Sequence, residues 1–475
     1  MYNGLTDKRV VKTLKVGVKM YEGAKALLTI ITGAGFDAYY IGGKCRCELN
    51  NQFNEGHHVE VKDIDIVTNA SVDELKRIFP SANEAGRRFQ VLLVNFANFV
   101  YEVASYRVDV HFNEDGNRLP EVVTRRAETL DEDRARRDFT VNAIAQGLDG
   151  EYLDYTFTRG GRQFSAIADV KAQVIRAIGE PRERFNEDPL RILRAFRFMS
   201  TMNFTIDRST LAGMRACVKL LRTIPQERIA GELRKIVVGR NAPEALRLMK
   251  NLGIFKLKCS GNSKPIVPAF ESMDGEDFDV LDKFMRARDE LEVWTLLFMN
   301  SPEAVESNLT GILSNDDVKS VKWLVTNINL PNVSEDNVTS RLALLDAVQA
   351  DQFVSNRDVH FLKTLVLKVM HLHLVINENT VEAKAEAKRM FFNFCARPYF
   401  VSQLDVSGFE MMAWSSEPRG PWIAKVKHDL LQHLVAVKAY PSADEIRKTL
   451  VPTMITRNGV VVDRDGKLLQ TEGEQ

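Results

Sequence analysis

The chain is predicted to be an α+β protein, with a mixed α/β head over roughly the first 150 residues and an all-α remainder. Two observations carry this. Short apolar runs at 38–41, 61–67, 89–96 and 99–106 have the length and alternation of strands. From Asp188 onward the apolar spacing is helical almost everywhere, interrupted near Ile224–Pro225, Gly253, Gly261–Pro265, Leu330–Pro331 and Pro398. At 475 residues the chain is too long for one ordinary core, so several domains are expected.

A hydrophobic content of 45% with 27% charged residues fits a globular protein rather than a disordered or fibrous one. No apolar run is long enough to cross a bilayer, and the first residues lack the pattern of a secretory signal. Cys45, Cys47, Cys217, Cys259 and Cys395 are scattered and odd in number, and Cys45–x–Cys47 matches no complete zinc site. A reduced, cytoplasmic protein is expected. The 64 Lys/Arg balance 64 Asp/Glu, yet between Glu180 and Lys250 there are 15 basic against 8 acidic residues. That local excess can grip phosphates without reading sequence.

In order along the chain, apolar residues from Val11 to Ile31 recur at three- and four-residue intervals and predict a helix over 8–34, ended by Gly33 and Gly35. Ala38–Ile41 is a short buried strand running into Gly42–Gly43. Val61–Val67 alternates, so a strand here puts Asp63 and Asp65 on one face and Ile64 and Ile66 on the other. A helix over 71–79 and a strand pair from the 89–96 and 99–106 runs follow. Near the end, Asn458–Gly459 and Asp465–Gly466 flank Val460–Val462 and suggest a small hairpin.

The chemistry begins with Asp63 and Asp65. Two carboxylates pointing the same way clamp hard divalent ions, which can activate a hydroxyl and stabilise departing pyrophosphate. The D-x-D pattern alone is common on solvated strands; here it follows a Gly–Gly turn by about twenty residues and is flanked by apolar residues. Gly42–Gly43 lets the backbone approach a triphosphate closely. In Arg136–Arg137–Asp138–Phe139–Thr140–Val141–Asn142–Ala143, two arginines supply phosphate donors beside an acid that could anchor them or assist the metals. Finally Asp188, Arg191, Arg194 and Arg197 recur every three residues at a helix start, with Pro189 early in the helix and Asp188 as its cap. A carboxylate accepts from the amino group of cytosine or adenine and a guanidinium donates to the ring nitrogen, so such a helix can select C or A over U and G.

Taken together and in this order, these residues resemble the class II CCA-adding enzymes (tRNA nucleotidyltransferases) and the related bacterial poly(A) polymerases. Gly42–Gly43 and Arg46 are similar to that family's G-G-x-V-R-D, and Asp63–x–Asp65 to its metal-binding D-x-D. Glu102–Arg107 is similar to E-V-x-x-F/Y-R, the RRDFTVNA element to R-R-D-F-T-x-N-A, the 178–198 segment to its I-G-x-P…E-D-x-x-R-x-L-R-A-x-R-F element, and Glu227–Arg228–Ile229 with Glu232 to E-R-I-x-x-E.

The resemblance implies a nucleotidyltransferase-type mixed-sheet head over 1–150, a helical neck over 151–255 for base reading and RNA binding, a helical body over 256–390 and a tRNA-binding tail over 391–475. It implies magnesium on Asp63 and Asp65. It also implies nucleotide contacts from Gly43, Arg46, Arg137, Asp188, Arg191, Arg194 and Arg197, with Asp188 and Arg191 reading the base. The partners it implies are the tRNA 3′ end with CTP and ATP. Glu102 and Asp138 compete as a supporting third carboxylate. The chain departs from the pattern where Cys47 replaces an aspartate, which leaves the positioning of Arg46 open, and in a longer stretch before Asp63, where Gln52–His58 is expected to form a loop.

Gly86–Arg87–Arg88–Phe89 is similar to a poly(A) polymerase signature. Leu313–Lys319 with Trp323–Val325, and Val406–Met412 with Gly420–Ile423, resemble bacterial CCA-enzyme segments instead. The balance favours CCA addition, with poly(A) addition and a non-catalytic RNA-binding relative as the alternatives.

Overall fold

The computed structural model describes residues 8–54, 58–85, 90–112, 121–259, 289–327, 359–376, 406–415, 419–436 and 445–451, with a few positions between them. Its contacts divide the chain into two units, residues 1–285 and 286–475. The expected terminal hairpin around Val460–Val462 and the Gly86–Phe89 segment similar to a poly(A) polymerase signature lie outside the described residues.

The first unit begins with helix α1 (Lys8–Gly33), whose inner face buries Leu27, Leu28 and Ile31. Strand β1 (Ala38–Ile41) follows, turns at Gly42 and enters α2 (Gly43–Phe53). Strand β2 (Asp65–Thr68), helix α3 (Val72–Ile78), the short β3 (Asn83–Glu84), and the hairpin β4 (Val91–Phe96) and β5 (Phe99–Ser105) come next. Ser71 and Glu74 close a capping box at the start of α3, as the expected helix there requires. Strands β6 (Arg107–Phe112) and β7 (Glu121–Arg126) form a separate hairpin. With β8 (Ala145–Gln146) and β9 (Tyr152–Leu153), the first five strands make a seven-stranded sheet in the order β3-β4-β5-β2-β1-β8-β9. It is mixed, because β2 runs parallel to β5 while its other pairings are antiparallel.

The strand expected over 61–67 is shorter and later than its alternation suggests. Residues 61–64 belong to no strand, and β2 begins at Asp65. The reason lies in its antiparallel neighbour: β1 ends at Ile41, opposite Asp65, although β5 on the other side begins earlier, at Phe99. Asp63 therefore leaves the sheet edge exposed to solvent, while Ile64 and Ile66 are buried as expected. Of the loop expected over Gln52–His58, Gln52 and Phe53 belong instead to the end of α2, and residues 55–57 lie outside the described residues. The side chain of Asn51 then clamps the backbone of Val59 in both directions, at 2.7 and 2.8 Å.

Short β-structure continues past residue 150: a separate hairpin (Thr156–Arg159 with Arg162–Ser165) and a two-residue parallel pair (Val174–Ile175 with Thr205–Ile206). Between them in sequence run α6 (Pro181–Glu187, numbered after α4, Leu130–Ala135, and α5, Ala166–Lys171) and α7 (Leu190–Met202). Helix α7 buries Leu190, Leu193 and Phe196 and ends at Asn203 in the left-handed region. Helices α8 (Arg208–Cys217), α9 (Gln226–Val237) and α10 (Ala242–Asn251) complete the described helical part, with α9 and α10 both packed on α7.

In the second unit, helices at Asn315–Asn327, Val359–Ile376 and Trp422–Ala436 share a core that includes Trp323, Leu324, Leu365, Val366, Leu430 and Leu434. His371 faces the buried Glu292 at 2.9 Å, in keeping with a packing role. No helix among the described residues is long and apolar enough to cross a membrane.

Candidate active site

A cavity of about 1380 Å³ opens in the first unit, and every nominated residue lines it: Gly43, Arg46, Asp63, Asp65, Arg137, Asp188, Arg191, Arg194 and Arg197. Residues spread over 155 positions of chain are thereby brought to one wall-and-floor arrangement.

The acidic floor comes from the sheet. Asp65 opens β2 directly beside Glu102 on β5. Burial, the Glu102 carboxylate and Asp63 push the Asp65 acid up to about 6, against the pull of Arg137 and Arg46. Gly42 holds a φ of +71°, and a Cβ there would stand 3.9 Å from Asp65 Oδ2 and 3.7 Å from Arg137 Nη1. Glycine suits this turn because of its left-handed backbone, and it brings the start of α2 to the cavity, where free amides favour phosphate.

Two anchors organise the basic wall. Asp133, on α4 and fully buried, binds Arg136 at 2.6 Å and Arg137 at 3.0 Å. Burial alone would raise its acid, but Arg137 and Arg136 hold it below the usual range. The acid that anchors this arginine pair is thus Asp133 and not Asp138. Asp138 instead accepts from Arg194 Nε at 2.7 Å, from Asn142 Nδ2 at 2.8 Å and from the Phe139 amide at 2.8 Å. Arg194 and Asn142 hold it far below the usual carboxylate range despite its burial.

Arg46 has no acid at position 47 to lean on. It donates to Asn142 Oδ1 and approaches the sulfur of Met202, and its guanidinium lies 4.6 Å from the Phe198 ring centre. Arg197 lies at the same 4.6 Å from that ring. Buried Cys47 takes no charge, since burial pushes its thiol up. Asn142, Asp133 and Phe198 were not singled out for these roles from sequence. Asp133 stands three and four residues before its arginines, a helical spacing that could have revealed it; Asn142 and Phe198 carry no such local signal.

Asp188 and the arginines of α7 line one side of the cavity, although Asp188 precedes the helix. Its Oδ1 accepts the Leu190 amide at 3.1 Å, so it caps the turn as expected. Arg191 donates to Glu187 at 2.7 Å and to the Arg136 carbonyl at 3.0 Å. Arg197 pairs with Glu232 of α9 at 3.2 Å, and burial with the nearby Arg194 lowers it to about 10.

Among the described residues no three His, Cys, Asp or Glu side chains converge to enclose a metal. The donor set still fits one kind of ion. Carboxylates at an open cavity mouth suit a hard divalent cation that keeps waters and completes its shell with substrate phosphates. Burial first, and then the Glu102 and Asp63 carboxylates, raise the Asp65 acid, and a cation beside it would favour the ionised form.

Residues 38–176 match the family model described as the poly A polymerase head domain, and 203–257 match the probable RNA- and SrmB-binding site of polymerase A. The CCA-adding enzyme of Enterococcus faecalis is 30% identical over 421 residues, covering 87% of this chain and 92% of that protein. The chain belongs to the CCA-adding enzyme family. A further member, from Staphylococcus epidermidis, is 27% identical over 90% of this chain and 97% of its own length. The same fold is seen in the crystal structure of the Bacillus stearothermophilus CCA-adding enzyme in complex with CTP, with a TM-score of 0.66 at 22% identity over 92% of this chain and 98% of that one. As a nucleotidyltransferase of this family, the chain works with a divalent metal.

Proposed function

We propose that this chain adds CMP and AMP from CTP and ATP to the 3′ end of tRNA in the cytoplasm, releasing pyrophosphate. The observation that carries the reading is one cavity holding an acidic pair, a glycine turn at a helix start and an arginine helix, in a member of the CCA-adding family. In this reading Asp63 and Asp65 hold magnesium, and Glu102 is the supporting carboxylate because it adjoins Asp65, whereas Asp138 is committed to Arg194 and Asn142. Bound magnesium supplies positive charge for the triphosphate oxygens and lowers the cost of ionising the RNA hydroxyl.

The chain's own residues do the rest. Gly43, Arg46 and Arg137 cradle the triphosphate. Asp188 and Arg191 read the Watson–Crick edge of the base, and Arg194 and Arg197 complete the nucleotide pocket. The 3′-hydroxyl oxygen bonds to the α-phosphorus as the bond to pyrophosphate breaks. Residues 151–255 act as the base-reading and RNA-binding neck, 256–390 as the body and 391–475 as a tRNA-binding tail. No RNA template is required, since protein groups select the base.

Purified protein, magnesium and a tRNA lacking its 3′ CCA, supplied with labelled CTP or ATP separately and together, test this. CTP-dependent extension that stops at a defined length, with ATP completing it, is expected. Unbounded growth on ATP alone would establish poly(A) addition instead.

A further inference from the structure

Asp188 is held from two sides. Its Oδ1 accepts the Leu190 amide of its own turn, and its Oδ2 accepts Arg228 Nη2 at 2.8 Å, from the first turn of α9. Both residues line the cavity, with Asp188 28% and Arg228 45% exposed at the side chain. One turn along α9, Glu232 takes Arg197 at the far end of the same row. Helix α9 therefore grips the first and last members of the Asp188–Arg191–Arg194–Arg197 series.

A carboxylate has about four acceptor positions, and these two bonds use one on each oxygen. The plane of the group is fixed, and the remaining lone pairs stay aimed at the cavity. We propose that Arg228 is a specificity-determining positioning residue: it locks the Asp188 carboxylate in the orientation that accepts a base amino group. The proposal rests on the reading of Asp188 as a base contact.

The consequence is chemical. A carboxylate locked in place meets the 4-amino group of cytosine or the 6-amino group of adenine with a ready acceptor, and meets the 4-carbonyl of uracil with repulsion. Freed to rotate, it loses alignment with the amino group and can turn from the carbonyl or bridge to it through water. Selectivity falls at the same time as affinity. The ion pair is too exposed to add much to stability, so its removal is a local change.

The test is steady-state kinetics of Arg228→Ala, Arg228→Lys and Asp188→Ala with CTP, ATP and UTP on tRNA lacking its end, together with equilibrium binding of CTP. For Arg228→Ala, KM for CTP and ATP rises roughly tenfold, kcat falls by less than KM rises, and the CTP-to-UTP preference drops roughly tenfold. Arg228→Lys, which keeps a donor and the charge but not the planar fork, recovers part of both. The proposal is overturned if Arg228→Ala keeps the parental preference while Asp188→Ala loses it; the base-contact reading then survives. If Asp188→Ala also keeps the preference, both readings fail. Should Arg228→Ala not fold, the same comparison is made with Arg228→Met, which keeps the bulk of the side chain without a donor, and an unchanged preference there overturns the proposal.

Discussion

Arg194 Nε lies 2.7 Å from Asp138 Oδ2, tying the arginine helix to the loop that follows α4. Asp138 also accepts from Asn142, and Asn142 accepts from Arg46, so one chain of contacts joins Arg194 to Arg46 across the cavity. Asp138 and Asn142 therefore cross-link the side chains that line this cavity.

Asp138→Ala removes the shared anchor and leaves Arg194 beside a gap. Breaking a buried pair costs about 3–5 kcal/mol, and the partial exposure of Arg194 reduces that to about 2 kcal/mol. A lower urea midpoint and loss of incorporation are expected. An unchanged midpoint would show that the pair is not buried as described.

Acid stability follows from the same groups. Asp133 and Asp138 titrate below their ordinary values in the folded protein, so the stability they contribute is fully present above the unfolded value of about 3.9 and is lost as pH falls through the folded values. Urea midpoints should hold near neutral pH and fall steeply below about pH 4. Asp138→Asn should flatten that fall relative to the parent.

Asp65 behaves in the opposite sense. Its folded acid at about 6 lies above the unfolded value of about 3.9, so stability is lost as pH rises between those values and stays lower above them when no cation is present. In EDTA at pH 7, Asp65→Asn should therefore stabilise the protein by about 1–2 kcal/mol while abolishing incorporation. Calorimetry showing a lower Tm for Asp65→Asn in EDTA would remove the argument for stored repulsion.

The exposed Asp63 has little to give the fold. Asp63→Ala should leave Tm and tRNA binding nearly unchanged and abolish nucleotide addition, and EDTA should mimic it reversibly, with magnesium restoring activity. Retained turnover in Asp63→Ala would refute its metal role.

Gly42→Ala meets no hard clash, since the nearest atoms would stand 3.7–3.9 Å away. Its cost is conformational, about 1–3 kcal/mol for a side chain held at φ +71° and ψ −115°. Relief of that strain shifts the turn beneath the triphosphate, so KM for both nucleotides should rise more than stability falls. Equal kinetics for the two proteins would mean that the turn does not cradle phosphate.

What the amino-acid order determined by itself is whatever depends on neighbours in the chain. The periodicity of α1, the four residues of β1, the capping box of α3, the apolar side of α7 and the ordered motifs are local patterns, and they suffice for the family and most of the site. Only the tertiary structure decided where β2 begins, because β1, its antiparallel partner, ends opposite Asp65 and leaves the residues before it without a partner on that side. It likewise decided that Asp133 and not Asp138 anchors the Arg136–Arg137 pair, that Phe198 and Asn142 steady Arg46 in place of an acid at position 47, and that Arg228 reaches Asp188 from forty residues away. The contacts of Asn142, Phe198 and Arg228 join elements distant in sequence. Their geometry is set by helix and sheet packing, which no local spacing encodes.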